Sequence, residues 1–102
     1  MRGMLDIKVG PNDEIILAGR FDASQAERAE QFLAGVTGTR VVDLGELQYI
    51  SSLGLGVLLA TQKRLMDQGH GLKLVNVRGH VRDILHFAGF DRVFALDSPP
   101  SA

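Results

Sequence analysis

Leu5-Asp6-Ile7-Lys8-Val9 alternates apolar and polar side chains with period two, the pattern of a strand buried on one face. A turn cluster, Gly10-Pro11-Asn12-Asp13, separates it from Glu14-Ile15-Ile16-Leu17-Ala18, a more apolar second strand. The short connection predicts an antiparallel hairpin, with Gly19-Arg20-Phe21-Asp22 ending it. From Ala23 the period changes. Ala26, Ala29, Leu33 and Val36 recur at helical spacing beside the polar Glu27, Arg28, Glu30 and Gln31, and Gly35 and Gly38 punctuate the end. Val41-Val42-Asp43-Leu44 reads as a short interior strand, with residues 45–50 leading out of it. A second helix is predicted to start at Ser51 or Ser52 and to stop near Asp67. Leu72 to Val77 is the fourth strand. A third helix follows with Val81, Ile84, Leu85 and Ala88 on one stripe, capped by Gly89. Asp91 to Leu96 is a short closing segment, with Phe90, Val93 and Phe94 available to the core.

This order of elements predicts an α/β domain: a mixed four- to five-stranded sheet with an initial antiparallel hairpin and about three to four helices. The chain of 102 residues is one domain's worth, expected over residues 1–97, and Ser98-Pro99-Pro100-Ser101-Ala102 is expected to be a disordered tail. Eleven Lys and Arg against twelve Asp and Glu leave a formal charge of −1, which carries no electrostatic footprint for nucleic acid or an anionic membrane. With no cysteine, a disulfide scaffold, a thiolate zinc site and a catalytic thiol are excluded. No secretory signal pattern is visible. The longest apolar run, Leu53 to Ala60, is far shorter than the ~20 residues of a bilayer span. The expected location is cytoplasmic.

Candidate enzyme chemistry is thin. His70, His80 and His86 show no i, i+4 spacing and no cysteine to complete a metal shell. Ser51-Ser52-Leu53-Gly54 is not a nucleophile elbow, and Gly54-Leu55-Gly56 lacks the rest of a dinucleotide fingerprint or a phosphate-binding loop. The reading is a non-enzyme with no metal and no cofactor.

The second helix says more. Projected at about 100° per residue, Leu55, Leu58, Leu59 and Met66 share a stripe that should face the sheet, with Leu65 at its edge and Gln62, unexplained, in its middle. Leu53, Val57 and Ala60 fall on the opposite side, followed by Arg64. Either the third helix covers this second stripe, or it is an exposed patch that docks a partner. One of the two serines is the expected N-cap. The other is then a hydroxyl beside unpaired amide donors and the positive end of the helix dipole, where a phosphate is tolerated by its own chain.

Val41-Val42-Asp43-Leu44 followed by Leu47 to Leu59 resembles the signature of STAS domains, closest to the bacterial anti-sigma factor antagonists. Gly19-Arg20-Phe21-Asp22, Lys63-Arg64-Leu65, Gly71 to Val75, Val81 to Leu85 and Gly89 to Phe94 extend the resemblance from about Leu5 to Leu96. It implies an antagonist that binds a serine protein kinase doubling as an anti-sigma factor, which frees the sigma factor. The kinase then phosphorylates a serine at the start of the second helix and ejects the antagonist, and a metal-dependent serine phosphatase resets it. Ser52 matches the acceptor, and Asp22 matches an acidic residue near that site. Ser51 stands where the family has Asp, which makes it a competing acceptor, and Leu53 replaces a small residue. The expected partner-binding residues are Asp22, Ser51, Ser52, Leu53, Gly54 and Val57. The alternative is a stand-alone STAS subunit regulating an ABC transporter or a stressosome-like scaffold without a phosphorylation cycle.

Overall fold

The alternation at the start of the chain produces the hairpin it predicts. β1 (Leu5–Val9) pairs antiparallel with β2 (Ile15–Phe21), Ile7 opposite Leu17, and the Gly10 N–H donates to the Glu14 carbonyl at 2.7 Å to close the turn. The computed structural model describes residues 4–77 and 79–96, so the expected tail at 98–102 lies outside the described residues. A short 3₁₀ turn (Ala23–Gln25) leads into α1 (Ala26–Ala34). Then come β3 (Arg40–Ile50), α2 (Ser52–Met66), β4 (Leu72–Val75), α3 (Gly79–Phe87), a second 3₁₀ turn (Phe90–Arg92) and β5 (Ala95–Leu96).

Two strands run further than expected: β2 continues through Gly19 and Arg20 to Phe21, and β3 spans 11 residues rather than four. The cause is irregular pairing. Ile16 sits opposite Asp43 but Ala18 opposite Glu46, and Gly19 opposite Leu47 but Arg20 opposite Tyr49, so β3 carries an extra residue at two places. At the first of them the Asp43 carboxylate accepts the Gly45 N–H at 2.8 Å. Each extra residue flips the side-chain phase. The buried positions therefore step from Val42 and Leu44 to Leu47 and Ile50, which a strict period-two reading cannot follow.

The sheet order is β1-β2-β3-β4-β5, with β2 to β5 all parallel. Each of the three helices moves the chain one strand over in the same direction, and right-handed crossovers put all three on one face. That face supplies the core, with Leu5, Leu17, Val42, Leu44, Leu72 and Leu74 buried, while Asp6, Lys8, Ile16, Asp43 and Lys73 on the other face are exposed or half-buried.

α2 sits on the sheet through Gly54, Leu58, Thr61, Gln62 and Leu65. This rotates its core face away from the projected stripe: Leu58 is buried as expected, Leu65 is central rather than marginal, and Met66 is 54 % exposed. The polar members explain the difference. Thr61 donates its hydroxyl to the Val57 carbonyl at 2.8 Å. Gln62 accepts the Leu72 N–H at 2.7 Å and donates to the Val93 carbonyl at 3.0 Å, so a buried amide ties α2 to the start of β4 and to the chain before β5. α3 buries Val81 and Leu85, with Ile84 partly covered; Ala88 is exposed just beyond its end, and Gly89 follows with φ of 79°. Phe90 and Phe94 are buried and stacked at 5.2 Å, whereas Val93, expected to be available to the core, is 38 % exposed.

Candidate functional site

β2 and β3 end together, Phe21 opposite Ile50, and the Ser51 N–H donates to the Phe21 carbonyl at 2.8 Å. This one bond brings Asp22 alongside the entrance of α2. Asp22 caps the 3₁₀ turn, its carboxylate accepting the Ser24 N–H at 3.2 Å and the Ser24 hydroxyl at 2.6 Å. Ser51, in extended conformation, caps α2: its hydroxyl oxygen accepts the Gly54 N–H at 3.1 Å.

The two serines therefore have different surroundings. Ser51 is half-buried and committed to the cap. Ser52 is the first residue of the helix, exposed, and its hydroxyl has no hydrogen-bond partner among the described residues. Leu53 beside it is 57 % exposed, and Val57, one turn on, is half-buried. Gly54, grouped with these residues by sequence, belongs to the core instead. A Cβ there would lie 2.9 Å from Ile50 Cγ1 and 3.0 Å from Phe21 Cδ1, so only glycine lets the first turn of α2 settle onto the ends of β2 and β3.

The second apolar stripe of α2 does not meet α3. It stands beside α1, and the two helices leave between them a groove of about 440 Å³, walled by Ala26, Glu27 and Glu30 on one side and Leu53, Val57 and Ala60 on the other. Its Leu53 end lies next to Ser52. At the other end Arg64 donates to the carbonyls of Leu33 at 2.9 Å and Val36 at 3.0 Å, satisfying the last turn of α1 and fixing the spacing of the two helices. The sequence shows Glu27 and Glu30 only as the wet side of α1. That they line this groove follows from the packing of α1 on α2.

The histidines stand elsewhere. His70 Nδ1 is 3.4 Å from the Thr39 hydroxyl, and His86 Nδ1 is 2.8 Å from the Asp91 carboxylate, whose hydrogen bond with His86 holds that carboxyl below the usual range. Among the described residues none is within hydrogen-bond reach of Ser52, and no three His, Asp or Glu side chains are grouped to hold a metal ion. No helix among them is long and apolar enough to cross a membrane.

A family model described as "Mlab, STAS domain" matches residues 8–96. BtrV of Bordetella bronchiseptica, a protein described as an anti-sigma factor antagonist, is 39% identical over 84 residues, 78% of this chain and 72% of that protein. An anti-sigma factor antagonist from Mycobacterium paratuberculosis superposes with a TM-score of 0.76 at 26% identity, covering 95% of this chain and 86% of that one. The phosphorylated form of the Bacillus cell fate determinant SpoIIAA has the same fold, with a TM-score of 0.67 at 16% identity over 94% of this chain and 92% of that one. The family model spans residues 8–96 and the superposed folds cover more than nine-tenths of the chain, which belongs to the STAS-domain family and is a homologue of bacterial anti-sigma factor antagonists.

Proposed function

We propose that this chain is an anti-sigma factor antagonist that docks on a serine-kinase anti-sigma factor through the entrance of α2, and that phosphorylation of Ser52 releases it. The division of labour between the two serines carries the reading: the Ser51 hydroxyl oxygen is taken up by the Gly54 N–H, while the Ser52 hydroxyl is exposed and unpartnered among the described residues. Ser51 stands where the family pattern has Asp, and as a cap it keeps an oxygen acceptor at the head of the helix without competing for the kinase. Leu53 and Val57 supply the apolar contact and Asp22 a charge beside it.

The physics of the switch is local. A phosphate on Ser52 brings about −1.5 to −2 charges to the positive end of α2, where the domain itself tolerates it. Inside a docked interface the same dianion, left unpaired, costs on the order of 2–5 kcal/mol, enough to weaken binding by roughly 30- to several-thousand-fold. The fold need not change. A metal-dependent serine phosphatase then restores the hydroxyl, and the cycle is that of a cytoplasmic regulator with no chemistry of its own.

The test is phosphorylation in vitro of the full chain by serine kinases of the same genome, read by mass spectrometry of the peptide spanning Ser51 and Ser52. Modification of the wild type and of Ser51→Ala but not of Ser52→Ala is the expected result. Modification that persists in Ser52→Ala contradicts the assignment.

A further inference from the structure

The groove between α1 and α2 has a chemical character that the switch does not use. Its α2 wall is apolar, from Leu53, Val57 and Ala60, and its α1 wall carries Glu27 and Glu30 beside Ala26. Neither carboxylate is in an ion pair among the described residues. Glu27 lies in the first turn of α1, where the helix dipole favours it, but Glu30 is a full turn further on and gains nothing there. The groove continues past Glu30 along Ala60 and Thr61 to Arg64. Arg64 is held by the carbonyls of Leu33 and Val36, which keeps the groove preformed and fixes its positive charge at the far end, so the acidic stretch is the part beside Glu27 and Glu30.

We infer that this groove receives an amphipathic helix of the partner, with an apolar ridge against the Val57–Ala60 wall and Lys or Arg on the flank that meets Glu27 and Glu30. From Leu53 to Arg64 the groove is about 16 Å long, three turns of an occupying helix. A second copy of this chain is a poor occupant, because a two-fold contact groove to groove sets Glu27 and Glu30 against themselves. A basic helix meets complementary charge and finishes the groove at its Leu53 end, beside Ser52. The inference rests on the reading of the α2 entrance as the docking face and adds the chemistry of the partner. The acidic wall selects the occupant, whereas a phosphate acts at the mouth, where the interface closes over Ser52.

The test uses the full chain and two labelled helical peptides of about 15 residues, with Leu along one stripe and either Lys or Glu on its flank. Fluorescence anisotropy is expected to show the Lys peptide binding at least about tenfold more tightly than the Glu peptide. The preference should shrink as salt is raised from about 20 to about 200 mM. It should vanish in Glu27→Gln/Glu30→Gln and invert in Glu27→Lys/Glu30→Lys, with amide shifts at Val57 and Ala60. Equal binding of the two peptides, or shifts confined to other surfaces, overturns the inference even if Ser52→Glu still releases the kinase. A preference that holds while Ser52→Glu leaves kinase binding unchanged supports the groove and sinks the switch.

Discussion

At the scale of single residues, the entrance of α2 depends on two positions that look alike in sequence and differ in space. Ser51→Ala removes the cap on the Gly54 N–H and is expected to cost about 1 kcal/mol, while Ser52→Ala costs much less; urea denaturation of the two variants separates them, and equal losses contradict the assignment. Gly54→Ala pushes a methyl group against Ile50 and Phe21 and is expected to cost about 1–3 kcal/mol through overpacking. The sequence left the choice of cap open because either serine can serve. It is settled by the Ser51 N–H pairing with Phe21, which fixes where β3 ends and the helix begins. Far from this site, the His86 hydrogen bond lowers the Asp91 carboxyl. A lowered carboxyl stabilises the fold above its unfolded pKa and loses that contribution as the pH falls through the folded value. In His86→Ala, an NMR titration of Asp91 should therefore shift upward towards the ordinary carboxylate range, and an unmoved curve contradicts the pairing.

At the scale of elements, two buried polar side chains hold the layers in place. Gln62→Leu leaves the Leu72 N–H and the Val93 carbonyl without their partner and is expected to cost about 1–3 kcal/mol, with faster hydrogen exchange at Leu72. Arg64→Ala takes a charged donor from the Val36 carbonyl and from the Leu33 carbonyl, which still accepts the Val36 N–H, and should loosen the end of α1 by about 1 kcal/mol, widening the groove without touching Ser52. These residues also mark where sequence reasoning reached its limit. Hydrophobic periodicity finds the helix but places its core face by its leucines, so it puts Met66 inward, passes over Thr61, and sets Gln62 in the core-facing stripe without a reason for it to be there. Likewise it finds Val42 and Leu44 but not the rest of β3, because the extra residues shift Leu47 and Ile50 out of phase. The hairpin, the position of α2 and the stripe of α3 obey simple periods and were legible.

At the scale of the molecule, a sheet covered on one face by three helices gathers the carboxyl ends of β2 and β3 at one corner, and the α2 entrance and the α1–α2 groove meet there. Which helix flanks α2 was not legible in the sequence, since it depends on strand order and not on any local pattern. The most direct test of the account is the affinity of the full chain for the anti-sigma kinase proposed as its partner, measured by titration calorimetry for Ser52→Ala and Ser52→Glu. The account predicts that Ser52→Ala binds as the wild type does and that Ser52→Glu binds at least about 30-fold more weakly, with an unchanged circular dichroism spectrum. Equal affinity of the two variants contradicts it.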